Sequence, residues 1–353
     1  MHEAGMHIKQ SQIYEDAMKR RQFVKRIGTA AAALPLTGCS AFVRRNKYAD
    51  YQPDGDIQRR QLGQTGIEVS MLGFGSHLKP ELIKDPVLRD RMIKLGFDGG
   101  INTFDVYDHG GYKQFEPMGN SLRDIGRKQT VISLCVVKKT DEMEAEIDEA
   151  LRLFHTDYID LYRLYSVDDD RMNLMTKAKQ AGKIRAVGVV SHDEPTMARY
   201  IDRYGSSLDF VMIVYNFHNN KGNPKVKNYP YNDYSALIPR CEQMKLGILG
   251  IKPMGSDAMI ALAKEEGFFR NRSANVAQAM LRHIYTSPEI DCTMPAMNGM
   301  DEVVTNLESA YKPALSEDER SLLAKLSGNA ARMKEAYLPD HYKWLENWRV
   351  KTV

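Results

Sequence analysis

What most constrains this chain is an alternation that begins near residue 60. Short runs rich in Val, Ile, Phe and Tyr recur at 69–74, 102–106, 131–137, 158–161, 186–190, 210–214, 247–251 and 292–295. Amphipathic stretches separate them. In DEMEAEIDEALRLF (141–154), Met143, Ile147, Leu151 and Phe154 fall on one helical face, and SANVAQAMLRHIY (273–285) repeats the pattern. Eight strands, each followed by a helix over ~250 residues, is the arithmetic of a (β/α)8 TIM barrel, an α/β fold. The rival is a doubly wound sheet, whose first turn wants GxGxxG; GFGSHL (73–78) lacks the third glycine. The barrel is therefore expected. Additional C-terminal helices follow it. One starts at SEDE, where Ser316 is the N-cap and Glu319 closes a capping box. The tail YKWLENWRV carries both tryptophans, to pack on the barrel or fold over its mouth.

Charge separates the N-terminus from the rest. The net +3 is carried by residues 1–38, where Lys9, Lys19, Arg20, Arg21, Lys25 and Arg26 outnumber Glu3, Glu15 and Asp16. The remainder is balanced, so no basic footprint for nucleic acid exists. From Met18 the chain reads MKRRQFVKRIGTAAAALPLTGCS. A twin arginine with Phe23 and Lys25 precedes an Ala-rich apolar run, shorter than the ~20 residues that span a bilayer. This resembles a twin-arginine export signal, and Leu36-Thr37-Gly38-Cys39 resembles a lipobox. The resemblance implies a signal peptide over 1–38, cleaved before Cys39, whose sulfur is lipidated. Residues 39–58 then form a tether and 59–353 the barrel with its C-terminal helices. The expected location is the bacterial cell envelope, lipid-anchored and periplasm-facing. Four scattered cysteines without a CxxC pair give no disulfide framework and no zinc or iron–sulfur site.

Six segments resemble the aldo-keto reductase family in order and spacing. RRQLGQTGIEVSMLGFGS (59–76) is similar to the family's opening β-hairpin and first strand, and GINTFDVYDHG to its GxNxFDTAxxYG segment. KAKQAGKIRAVGVVSH, VYNF, GILGIKPMG and MPAMNGMDEVVTNLESA follow, covering residues 59–312. The resemblance implies carbonyl reduction with NADPH. Hydride comes from the nicotinamide, while an Asp, Tyr, Lys and His act together at the barrel mouth. The Tyr hydroxyl protonates the substrate oxygen, the Lys paired with Asp lowers its pKa from ~10, and the His orients the carbonyl.

Residue by residue, Asp105 matches the family Asp. The Tyr position falls on Gly110, with Tyr107, His109 and Tyr112 nearby. Tyr112 is the expected acid, because Gly110-Gly111 lets the backbone turn it inward. The Lys position is Cys135. Lys138 faces the wrong way on an alternating strand, and Lys139 lies about 13 Å farther along. A buried, inert Cys135 is the expected case. Tyr165 stands at the His position and is a second candidate proton donor. For the cofactor, NADP or NAD, Ser191 matches the Ser of the family's SN pair, His192 replaces its Asn, and Met212 stands where the family has Gln. Tyr215, the Lys252–Met254–Gly255 loop, Glu302 and Asn306 match the phosphate and adenine half, while Ile251 replaces a stacking aromatic. Three readings follow. The first is an oxidoreductase acting on a small-molecule carbonyl. The second is a catalytically inactive barrel lipoprotein serving as a binding scaffold, and the third is other barrel chemistry reusing Asp105 and Tyr165.

Overall fold

The computed structural model describes residues 51–75, 85–106, 115–136, 139–192, 194–218, 234, 236–255, 258–268 and 275–329. The chain divides into two units, Met1–Ala49 and Asp50–Val353, and the described residues belong to the second. The export signal, Cys39, most of the tether, Tyr107, His109, Tyr112, Lys138 and the tryptophan tail lie outside the described residues.

An antiparallel hairpin comes first, β1 (Arg59–Gln61) on β2 (Glu68–Ser70), with Arg59 opposite Ser70. Seven parallel strands follow in sequence order: β3 (Thr103–Val106), β4 (Val131–Val136), β5 (Ile159–Leu164), β6 (Ile184–Ser191), β7 (Phe210–Val214), β8 (Gly247–Ile251) and β9 (Cys292–Met294). Leu72–Gly75 supplies the eighth staves of the barrel. Gly73 and Gly75 donate to the carbonyls of Thr293 and Pro295 (2.9 Å each), and Phe74 exchanges bonds with Thr103 and Asp105 on the other side. Glycine is required at this seam. A Cβ on Gly75 would lie 2.6 Å from the Pro295 oxygen, and one on Gly73 2.9 Å from Cys292 Sγ. The expected first strand at 69–74 is therefore split between the hairpin and the barrel. The expected 158–161 strand is longer than read, reaching Leu164.

Helices cover the outside: α1 (Pro86–Asp98), α2 (Phe115–Ile125), α3 (Met143–Leu153), α4 (Asp169–Gln180), α5 (Glu194–Tyr204), α6 (Leu237–Gln243), α7 (Ala258–Glu265), α8 (Val276–Tyr285), α9 (Met300–Tyr311) and α10 (Glu317–Asn329). Their starts follow side-chain capping. Asp85, Asp168 and Asn275 accept from Leu88, Arg171 and Gln278 N–H groups. At α10, Glu319 N–H donates to Ser316 Oγ (3.2 Å) and Ser316 N–H to Glu319 Oε2 (2.9 Å), the expected capping box.

Strand alternation sorts side chains into two cores. Outward residues such as Ile132, Tyr162, Val189 and Ile213 meet the helices. Inward ones, including Leu161, Ala186, Phe210, Met212, Leu249 and Cys292, fill the barrel. Leu62, Ile67 and Val69 of the hairpin join this inner cluster and plug its floor. The floor is bracketed by polar side chains. Asp160 accepts from Ile132 N–H, Asp209 from Val187 N–H and Asp291 from Ile248 N–H, at 2.8–2.9 Å. Polar groups at the N-terminal end of barrel strands speak to stability, and chemistry belongs at the opposite end.

Candidate active site

Inside the barrel one group breaks the apolar filling. Asp105 on β3, Ser133 on β4 and Arg163 on β5 all point inward and are buried. Arg163 Nη1 donates to Asp105 Oδ1 (2.6 Å) and Nη2 to Oδ2 (3.2 Å), a two-pronged ion pair. Ser133 Oγ donates to Asp105 Oδ1 (2.7 Å) and accepts from Arg163 Nη1 (2.9 Å), so the three side chains close on one another. Register explains the meeting: Asp105 is level with Ser133, and Cys135 with Arg163, on adjoining strands. Burying such a pair gains little over well-packed apolar residues, whereas breaking it costs about 3–5 kcal/mol. Its presence in a barrel interior therefore points to chemistry more than to stability. Neither Arg163 nor Ser133 was among the residues expected from the sequence. The signal was there, since an arginine inside the apolar run IDLYRL has to find a carboxylate.

Cys135 is fully buried at the lysine position, and burial pushes its thiol up to about 12. A thiol so far from ionising is no nucleophile. Lys139 is exposed at the start of the 3-10 turn Thr140–Glu142 that precedes α3, so it does not fill the lysine's place.

Tyr165, two residues beyond Arg163 on the same inward face, is half-buried against the inner cluster. Its ring centroid lies 6.0 Å from that of His192, with the planes at 60°. The structure therefore brings Asp105, Arg163, Ser133, Tyr165 and His192 to one end of the barrel. Ile251 and Val190 border them with apolar surface.

The expected cofactor residues divide. Ser191 ends β6 and is buried. Lys252 follows β8 with φ 55, a left-handed backbone that costs energy in a non-glycine residue and clusters at functional sites. Its turn closes by Gly255 N–H donating to the Lys252 carbonyl (3.0 Å), with Gly255 itself at φ 58. Desolvation lowers the half-buried Lys252 amine to about 7. Met254 beside it packs into both outer apolar clusters. Glu302, in the first turn of α9, accepts from Asn298 N–H (2.7 Å) and so secures the helix start. Asn306 is buried one turn on.

Tyr215 requires a correction. Phe210 and Met212 point inward, so alternation turns Tyr215 outward, where it packs in the outer core at 6.4 Å from the Tyr234 ring. Its hydroxyl meets Ser287 (3.0 Å) and donates to Glu289 (3.3 Å), and burial raises its pKa. It is a packing residue, not part of the mouth.

A family model described as the aldo/keto reductase family matches residues 84–327. L-galactose dehydrogenase of Arabidopsis thaliana is 20% identical over 306 residues, covering 75% of this chain and 92% of that protein. An uncharacterized oxidoreductase of Bacillus subtilis, YqkF, is 21% identical, with 74% and 94% covered. The aldo-keto reductase AKR11C1 of Bacillus halodurans has a similar fold. Its holo form aligns with a TM-score of 0.61 at 20% identity, covering 80% of this chain and all of that one. With the family model spanning well over half its length, this chain belongs to the aldo/keto reductase family.

Proposed function

We propose that the protein is a nicotinamide-dependent oxidoreductase that reduces a small-molecule carbonyl at the C-terminal mouth of the barrel. The observation that carries this reading is the buried Asp105–Arg163 pair with Tyr165 above it. A charged couple beneath a hydroxyl suits general-acid chemistry on an oxygen that becomes anionic.

The residues present fit such a cofactor. Lys252, on its left-handed backbone in the turn closed by Gly255, offers an amine that a diphosphate would hold protonated. Ser191, His192, Glu302 and Asn306 would hold the remaining polar edges, with the choice of NADP or NAD left to groups outside this set. When bound, the cofactor supplies the hydride. Tyr165 holds a proton at its hydroxyl and gives it to the substrate oxygen. His192 packs beside the Tyr165 ring. Val190, Ile251 and Met294 keep water from the reacting centre. Tyr112, which follows Asp105 in the sequence and lies outside the described residues, is the rival acid.

The scaffold reading draws its support from the loss of the family's lysine and histidine together, at positions 135 and 165. Arg163 places a cation beside Asp105, which answers the first of those losses. The test is a fluorescence titration of the purified body with NADPH and NADH, followed by aldehyde and quinone turnover. Saturable binding with turnover is expected. Binding without turnover would favour the scaffold, and no binding of either nucleotide would refute the oxidoreductase.

The sequence at residues 18–40 supports export by a twin-arginine route and a lipid anchor on Cys39. That route carries folded proteins, so a cofactor can be loaded before export.

A further inference from the structure

We propose that Arg163 is the positioning cation of this site. It supplies from β5 the positive charge that family resemblance assigns to a lysine at position 135 of β4, and it tunes Tyr165 as the acid. The inference rests on the oxidoreductase reading and deepens it.

Three observations carry it. The first is register: Cys135 and Arg163 are directly paired neighbours on adjoining parallel strands, so the charge has moved one strand sideways at the same level. The second is partnership. Arg163 grips both oxygens of Asp105, the carboxylate that would otherwise pair with the lysine, and Ser133 pins the geometry. The third is direction. Register places Asp105 level with Ser133 and Ser133 level with Leu161. The anionic end of the pair thus rises from a layer four residues below Tyr165, and the cationic end from only two below. Arg163 therefore stands, along the strands, between the Asp105 layer and Tyr165.

Of the other titratable side chains, His192 beyond β6 lies beside the Tyr165 ring, and Cys135 on β4 belongs to the inner cluster against which Tyr165 packs. Cys135 stays a neutral thiol. A guanidinium keeps its proton throughout the accessible range, so it cannot itself be the acid. A bound reduced nicotinamide would supply the hydride to the substrate carbon and be left oxidised. The substrate oxygen takes the Tyr165 proton, giving an alcohol and a tyrosinate, which is reprotonated by water. Arg163 favours that tyrosinate.

The test is the ionisation of Tyr165, followed by NMR of ring-labelled tyrosine and assigned with Tyr165→Phe. In Arg163→Gln the Tyr165 pKa is expected to rise by about one pH unit, a tenfold loss of tyrosinate at fixed pH. The alkaline limb of kcat should move with it, and the KM for NADPH should stay unchanged. Arg163→Lys should keep most of the shift. Cys135→Lys/Arg163→Gln, which returns the charge to β4, should recover it. If Arg163→Gln fails to fold for want of a partner to Asp105, Asp105→Asn/Arg163→Gln keeps a hydrogen-bonded pair without charges, and in it the Tyr165 pKa should still rise, by less than in Arg163→Gln because the opposing carboxylate is gone as well. A Tyr165 pKa indifferent to these changes in folded protein, or a Cys135→Lys/Arg163→Gln variant no better than Arg163→Gln, would overturn the proposal. Absence of nucleotide binding by the wild type would sink the oxidoreductase reading instead, and leave the Tyr165 response to be read separately.

Discussion

Removing the Asp160 carboxylate should cost stability without touching the mouth. Asp160 sits at the start of β5 with its side chain 1% exposed, and it serves three donors. Arg127 Nη2 and Arg185 Nη1 each approach to 2.6 Å, and Ile132 N–H donates at 2.9 Å. In Asp160→Ala the Ile132 N–H is left inside the β4–β5 ladder, which costs about 1–3 kcal/mol for an unsatisfied buried donor. The Arg127 bond is the better shielded, its side chain being 19% exposed, and its loss adds about 1.5–3 kcal/mol. Arg185 is 44% exposed, so water replaces much of that contact and its share is about 0–1 kcal/mol. The stacking of Arg127 over the Tyr158 ring at 4.0 Å survives and limits the total. A net loss of about 3–5 kcal/mol is the expectation. Urea unfolding should show it as a lower midpoint at unchanged slope. Asp160→Asn, which keeps one acceptor, should lose less. Nucleotide affinity at 4 °C should match the wild type. A loss under ~1 kcal/mol, or a folded variant that no longer binds nucleotide, would refute the division between a structural floor and a chemical mouth.

Other expectations concern the mouth and the N-terminus. Tyr165→Phe should lower kcat for carbonyl reduction by about 10²–10⁴ while leaving NADPH affinity unchanged, and an unaffected rate would pass the acid's role to Tyr112. Lys252, with its amine lowered to about 7, must be protonated to meet an anionic phosphate. Because binding raises that pKa again, nucleotide affinity should fall as pH rises above about 7, by up to about tenfold per pH unit. Lys252→Met should flatten the profile, and a wild-type affinity constant from pH 6 to 9 would contradict this role. Cys39→Ala should abolish labelling by fatty acid in a bacterial host and release the protein from the membrane fraction.

The barrel could be read before any coordinates because its two periodicities are local. A strand needs one apolar run, and α3 needs only Met143, Ile147 and Ala150 on one face. The sequence reading was weakest where function depends on partners far apart in the chain. Asp105 and Arg163 are separated by 58 residues, and only register brings them together. The lysine position on β4 holds Cys135, whereas its neighbour on β5, Arg163, carries a charge at the same level. Ending the fourth strand at 161 also hid the parity that aims Arg163 and Tyr165 inward. The same parity, counted from Phe210, would have turned Tyr215 away from the mouth. Tyr165 and His192 could be named as candidates from their own segments, whereas a charge carried on a neighbouring strand could not.

The floor plug has a kinetic consequence. Leu62 fills the bottom of the barrel so closely that a Cβ on Gly247 would sit 2.4 Å from its Cδ1. A vessel sealed at one end imposes a queue on its traffic. Whatever lies deepest must arrive first and depart last, through the same opening that later arrivals occupy. Product-inhibition patterns should then report an ordered sequence rather than a random one. Loosening the plug, by trimming Leu62, would not open a second door unless the hairpin itself gave way.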